Sequence, residues 1–163
     1  MGEVKRTYYM TGELKSEWFE INGIKEGEYK DYYENGQLKE ICNYVNGKKE
    51  GEFKEYHENG SLHYIYNYVN NKKEGEFTFY SRGQLWIIGN CVNGEHHGES
   101  KSYFPNGQIE KICNYVNGEY HGEFKVYYEN GQLQSISNFV NGRYKGEQKY
   151  YYENGELKEI KNY

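Results

Sequence analysis

Five histidines, three cysteines and a ladder of carboxylates are the residues of this 163-residue chain that could do chemistry. His57, His63, His96, His97 and His121 could hold a metal or move protons, and Cys42, Cys91 and Cys113 could act as ligands or nucleophiles. Their spacing argues against both roles. His97 and His121 occupy equivalent places in neighbouring repeats, roughly 10 Å apart if the repeats add strands, and no further ligands stand at zinc spacing. There is no Cys-x-x-Cys pair, nucleophile elbow, phosphate loop or zincin motif. The Glu28 position recurs as a carboxylate, with Lys30, Lys54, Lys101, Lys125 and Lys149 two residues on, which reads as a solvated charge stripe. A calcium site needs clustered aspartates, and Asp31 stands alone. No catalytic residue, metal or cofactor is assigned, and the chain reads as a non-enzyme.

The elements that would position these residues follow from an internal beat. Gly12, Gly36, Gly60, Gly83, Gly107, Gly131 and Gly155 are each followed, two residues on, by Leu or Ile. They recur every 24 residues, with one step of 23 before Gly83. Such a period marks a tandem repeat array, in which each unit packs on its neighbours. The units run 2–26, 27–50, 51–74, 75–97, 98–121, 122–145 and 146–163, one array over 1–163. In the unit 27–50, Glu28 to Tyr33 and Leu38 to Val45 are strand-like runs. Asn35-Gly36 between them predicts a two-residue type I′ hairpin turn, and Asn46 to Gly51 a longer loop. The fold class is therefore all-β, a single-layer antiparallel β-meander of about seven stacked hairpins, elongated and twisted.

Columns of like residues predict packing positions. These are the Tyr8 and Tyr32 column, the Leu14 and Leu38 column, the Ile41 and Ile65 column, and the Val45 and Val69 column. The Gly-Glu pairs, beginning with Gly27-Glu28, imply a glycine required for positive φ or for close approach. A two-residue turn sets Asp31 opposite Glu40, which is unfavourable, and the spacing after Leu38 breaks alternation. Both point to a bulge in the second strand.

The composition fits. There is no alanine, while Tyr (21) and Gly (20) are abundant. The net charge of −5 is mild and the signs alternate, which argues against nucleic acid and gives an anionic membrane surface no support. No apolar run is long enough to span a bilayer. Cys42 and Cys113 share a column three units apart, beyond disulfide reach, so free thiols and a cytoplasmic location are expected.

The pattern carried by Asn35-Gly36-Gln37-Leu38, Asn46-Gly47-Lys48 and Gly51-Glu52-Phe53, with counterparts in every unit, resembles the variant MORN repeat. The resemblance runs from about Gly2 to Tyr163. It implies stacked β-hairpins and a role in protein contact, scaffolding or membrane-proximal assembly, with toxin neutralisation in bacterial variants. It supplies no catalytic residues. The expected function is a protein–protein interaction module, antitoxin- or immunity-like. The alternative is a structural scaffold or surface adhesion repeat that binds host, glycan or lipid.

The pattern breaks in mid-chain. Tyr64, Tyr66, Trp86 and Ile87 replace polar or small residues of their columns, and Phe79 fits two columns, depending on which glycine it is counted from. An aromatic cluster on neighbouring strands is the kind that anchors a protein partner, a toxin or scaffold client. Glu17, Trp18, Phe19 and Glu20 make the first unit atypical, as a cap would be. The last unit stops at Asn162-Tyr163, before its Val-Asn-Gly turn, and points to a truncated array or to self-association through the C-terminal edge strand.

Overall fold

The computed structural model describes residues 1–163, which form strands and turns with no helix. Two compact units divide at Gly83 and Gln84. The first holds β1 (Gly2–Tyr8), β2 (Leu14–Ile21), β3 (Ile24–Tyr32), β4 (Leu38–Val45), β5 (Lys48–Lys49), β6 (Gly51–Tyr56), β7 (Leu62–Val69), β8 (Lys72–Lys73) and β9 (Gly75–Ser81). The second holds β10 (Gln84–Val92), β11 (Glu95–His96), β12 (Gly98–Tyr103), β13 (Ile109–Val116), β14 (Glu119–Tyr127), β15 (Leu133–Val140), β16 (Arg143–Tyr144), β17 (Glu147–Tyr151) and β18 (Leu157–Asn162). Within each unit successive strands pair antiparallel, except that the two-residue strands β5, β8, β11 and β16 and the strands that follow them, β6, β9, β12 and β17, lie in line against the same preceding strand, so the expected all-β meander is the fold.

The two turns of each repeat exchange the roles that the sequence suggests. At Asn35-Gly36 only the glycine is left-handed, with φ 81°. Gly36 N donates to Tyr33 O at 2.9 Å and Tyr33 N to Gln37 O at 2.8 Å, which is a type I turn closed by a glycine bulge. The Asn35 carboxamide oxygen accepts from Gln37 N at 2.9 Å and fixes this shape. The type I′ turn lies instead at Asn46-Gly47, where φ is 51° and 76°, inside the stretch expected to be a longer loop. Asn46 therefore tolerates a conformation that asparagine reaches more cheaply than most residues.

The expected bulge is in the second strand. Tyr32 pairs with Leu38 and Asp31 with Glu40, leaving Lys39 as the extra residue. It does not separate the two carboxylates, because the longer turn and the bulge cancel in register. Lysines compensate: Lys39 Nζ stands 3.6 Å from Asp31 and Lys49 Nζ 3.8 Å from Glu40. The Gly-Glu glycine is a positive-φ residue, since Gly51 has φ 80° and open space where a Cβ would go.

Burial is one-sided. The fully buried residues include Cys42, Phe53, Tyr66 and Phe77 in the first unit, and Cys91, Ser100, Cys113, Ser137 and Phe139 in the second. The expected packing columns do less. Leu38 and Ile41 are half-buried, and Val45, Val69, Val92 and Val116 are exposed. Those side chains stand on the opposite face, beside the Glu28–Lys30 and Glu52–Lys54 pairs. The buried columns mix Cys, Ser, Gly, Tyr and Phe, so they do not read as an apolar column.

Repeats are stitched at a separation of about one period. Tyr33 Oη donates to Tyr56 O at 2.8 Å, Tyr9 Oη to Tyr32 O at 2.6 Å and Tyr128 Oη to Tyr151 O at 2.8 Å. Asn35 Nδ2 reaches Glu58 O at 3.0 Å, and Gly47 N reaches Lys25 O at 2.9 Å. The Glu26 and Glu50 carboxylates accept from Asn46 N and Asn70 N, both at 2.8 Å, and so cap the next repeat's turn. Replacing Tyr33 or Tyr128 by Phe removes one such bond and should lower stability by about 1 kcal/mol in urea unfolding.

The short period is absorbed in a turn. Arg82 and Gly83 both have positive φ, 52° and 79°, so a two-residue type I′ loop stands where other repeats use the longer glycine-bulge loop. Arginine is poorly suited to that conformation. Arg82→Asn should raise the urea midpoint, by the equivalent of up to about 1 kcal/mol.

Candidate functional site

In the first unit the register aligns side chains of one face into three rows that run across the strands. Residues directly opposite in a strand pair share a face, so each row can be followed from pair to pair. The outer row is Ser16, Asp31, Glu40, Glu55, Tyr64 and Phe79. The middle row is Trp18, Tyr29, Cys42, Phe53, Tyr66 and Phe77. The inner row is Glu20, Lys25, Tyr44, Lys49, Tyr68 and Lys73.

The structure brings Tyr64, Tyr66 and Phe79 together. Their ring centroids lie 5.4 Å (Tyr64–Tyr66), 5.3 Å (Tyr64–Phe79) and 5.6 Å (Tyr66–Phe79) apart, all edge-on. Such packing favours aromatic pairs beyond simple burial. Phe77 joins them at 5.6 Å from Tyr66, and His63 at 4.6 Å from Tyr64. Phe77 and His63 were missed by sequence reasoning, since a Phe in the Tyr29 column looks ordinary. The pairing of Tyr64 with Phe79 settles the column of Phe79, which is that of Asp31 and Glu55. Tyr66 is buried, while Tyr64 and Phe79 are half-buried.

Trp86 and Ile87 lie on β10 in the second unit. Trp86 is 47% exposed, and Leu85 beside it is 37% exposed, while Ile87 is half-buried opposite Ser102. Trp86 stands one residue after its Leu, the repeat position that holds Lys39 in the first unit.

The lysines of the inner row sit over rings of the middle row and over Tyr44. Lys25 Nζ is 4.1 Å from the Tyr29 centroid, 4.9 Å from Trp18 and 5.1 Å from Tyr44. Lys49 lies 4.3 Å over Phe53 and Lys73 3.6 Å over Tyr66. These contacts are within cation–π range. In the outer row the Tyr64 hydroxyl donates to the Glu55 carboxylate. Burial raises the Tyr64 phenol above its ordinary value, and the bond to Glu55 and that carboxylate's charge add to the rise. Burial lifts Tyr44 to about 12 and Cys42 to about 11.

No three His, Cys, Asp or Glu side chains converge as a metal-holding group. His121 Nδ1 is buried without a hydrogen-bond partner. The three cysteines are free and buried. The clefts are shallow grooves over the sheet. One of about 390 Å³, lined by Val4, Arg6, Glu17, Trp18, Phe19 and Lys30 among others, gathers no acid, base and nucleophile in hydrogen-bonding reach.

The sequence pattern of the MORN repeat variant matches residues 25–46, 49–70, 97–117, 120–141 and 144–163, more than half of the chain. The chain belongs to the MORN repeat variant family. MORN repeats are a non-catalytic family and commonly serve as protein- or membrane-binding modules. The residues between the second and third MORN matches, 71–96, include Phe79, Trp86 and Ile87 and the short turn at Arg82-Gly83. Among curated proteins no sequence matches the chain. A solved structure described as "Crystal Structure of TcdB2-TccC3-Cdc42" is similar over 99% of this chain, at 11% identity and a TM-score of 0.26. The chain spans 14% of the length of that protein, and a score so low carries no argument.

The raised phenols predict a pH dependence of this MORN array. A tyrosine held neutral by the fold contributes its full stabilisation below the free phenol's value near 10, and loses it as pH rises through the folded value. For Tyr44 that window runs from 10 to about 12. The urea midpoint should therefore be flat up to about pH 8.5, begin to fall as the raised Cys42 thiol loses its contribution between 9.0 and about 11, and fall further across the phenol window, with phenolate absorbance appearing late in the folded protein.

Proposed function

We propose that the chain is a protein-binding MORN array, antitoxin- or immunity-like in its specific role, whose partner is anchored by Trp86. The observation that carries this reading is a large aromatic side chain, 47% exposed, at a repeat position where the first unit holds a lysine. Tryptophan is enriched among the few residues that dominate interface energies, and Leu85, its neighbour in the strand, is exposed as well. In the first unit the half-buried rings of Tyr64 and Phe79 offer a second, separate contact element. The fold supports the reading because strand pairing and turn geometry do not use the Trp86 side chain.

The test is a quantitative pull-down from the native source followed by titration of the partner recovered. Trp86→Ala should weaken binding by ten-fold or more, about 1.4 kcal/mol or above, with the circular dichroism spectrum and urea midpoint unchanged. Equal affinity of wild type and Trp86→Ala, both folded, removes Trp86 from the interface. A glycan or lipid recovered in place of a protein favours the adhesion alternative.

A further inference from the structure

The two faces of the sheet differ in a way that packing does not explain. In each unit every fully buried residue lies on one face, yet that face changes from repeat to repeat. Its Asp31 column continues as Glu55, Phe79, Ser102, Val126 and Tyr150, and its Cys42 column as Tyr66, Gly89, Cys113, Ser137 and Lys161. The more exposed face repeats itself instead. Ile41 recurs as Ile65, Ile88, Ile112, Ile136 and Ile160, and Asn43 as Asn67, Asn90, Asn114, Asn138 and Asn162. The Glu28 position is a glutamate in every later unit. Packing constrains a covered side chain more than an exposed one, so it should have kept the buried face uniform. Recent duplication is no better an account, since it preserves both faces alike.

The uniform face carries a repeated acidic groove. In the first unit a groove of about 450 Å³ is lined by Glu28, Ile41, Asn43, Glu50, Glu52 and Lys54 among others. In the second, one of about 350 Å³ is lined by Glu123, Ile136, Ser137, Asn138, Glu147 and Lys149. Each residue of the second groove is the repeat counterpart of one in the first, and in both the carboxylates outnumber the ammonium groups. Lys30 pairs with Glu28, and Lys125 with Glu123, both at 2.5 Å. Those glutamates are 58% and 55% exposed against 30% and 31% for their lysines, so the face presents its carboxylates outward. The asparagine carboxamides on the groove floors make no hydrogen bond within the chain, although each holds a donor and an acceptor. In the second unit the row runs unbroken from Ile88 to Ile160, isoleucine and lysine alternating strand by strand.

We infer that the uniform face binds an extended, basic, proline-rich polypeptide that runs across the strands, one turn per repeat. Spacing selects its conformation. Equivalent grooves recur every second strand, about 9.6 Å apart. A polyproline II segment, with three residues per turn and a rise of ~3.1 Å, presents the same side every ~9.3 Å and drifts by only about 1 Å over three repeats. An α-helix returns to the same side after seven residues, about 10.5 Å, and drifts by about 3 Å, while a β-strand returns every ~6.7 Å. Polyproline II has no internal hydrogen bonds, so its backbone is free to meet the asparagine carboxamides and to wind with the twist of the sheet. Charge selects the side chains. A lysine or arginine at every third residue lays its aliphatic stem on the isoleucine of a groove and its cation against the glutamates. The contact makes no use of Trp86.

Fluorescence anisotropy on the full chain with two labelled synthetic peptides tests the inference. One peptide carries five arginines separated by pairs of prolines, the other five arginines separated by single prolines. The first should bind ten-fold tighter or more. Asn114→Ala with Asn138→Ala should weaken that binding ten-fold or more at an unchanged urea midpoint, since neither carboxamide bonds within the fold. Should the alanine pair fail to fold, Glu123→Gln with Glu147→Gln takes its place, with the same loss expected. Equal affinity for the two peptides overturns the inference and leaves only diffuse attraction between arginines and an acidic chain. No binding of either peptide overturns it, as does a folded asparagine variant that binds as wild type does. Trp86→Ala should bind the first peptide as wild type does, and a loss there moves the peptide to Trp86 and overturns the groove assignment. The Trp86-anchored reading fails on the affinity of the recovered partner, so the two can fail separately.

Discussion

A sheet one layer thick has nothing to pack against but itself, so each side chain must be covered by neighbours on the same face. Cross-strand register therefore governs everything else in this protein. If Tyr66 moved one residue along its strand it would leave the face of Phe53 and Phe77 and point to the other side. The register is set at the turns. The glycine bulge at Gly36 and the extra residue Lys39 displace the pairing in opposite senses, and their sum aligns Tyr29 with Cys42 and Asp31 with Glu40. The inter-repeat bonds from Tyr33 and Asn35 then hold successive hairpins in step. Left-handed glycines and asparagines are thus what allows the rows to exist, and the aromatic rows are what stabilises them.

That dependence explains why much of the fold was legible in the sequence. Period, strand pairs and the bulge all follow from spacing, because spacing is what register controls. The turn types were not legible. Asn35-Gly36 and Asn46-Gly47 are the same dipeptide. Which one is type I′ depends on the length of the loop that must close around it and on the Asn35 side chain bonding to Gln37 N. The buried face was misjudged for a related reason. Leu, Ile and Val look like core, yet on a single layer the better-covered places go to side chains that neighbours can roof. Cys42 roofed by rings is buried, whereas Val45 beside a turn is not.

The candidate site was legible only as a departure. Tyr64, Tyr66 and Phe79 were visible because they interrupt columns, and the structure unites them in one aromatic cluster. The carboxylate row was not visible. Asp31, Glu40 and Glu55 are far apart in the sequence and look like ordinary surface charges until the pairings place them side by side. A repeat hides such rows, because each member is unremarkable within its own unit.

The shortened repeat joins these arguments. Losing one residue within a strand would have reversed the facing of every side chain beyond it. Losing it in the loop exchanges one hairpin turn for another and leaves the pairing of Tyr64 with Phe79 in step with that of Glu40 and Glu55. The cost falls on Arg82, held left-handed without a glycine's freedom. Just past that turn stands Trp86, exposed on β10 at the repeat position of Lys39. An exposed side chain can change residue type without disturbing register, so a large ring is tolerated there at little expense to the fold. It is the place in a repeat where selection for contact and selection for packing compete least.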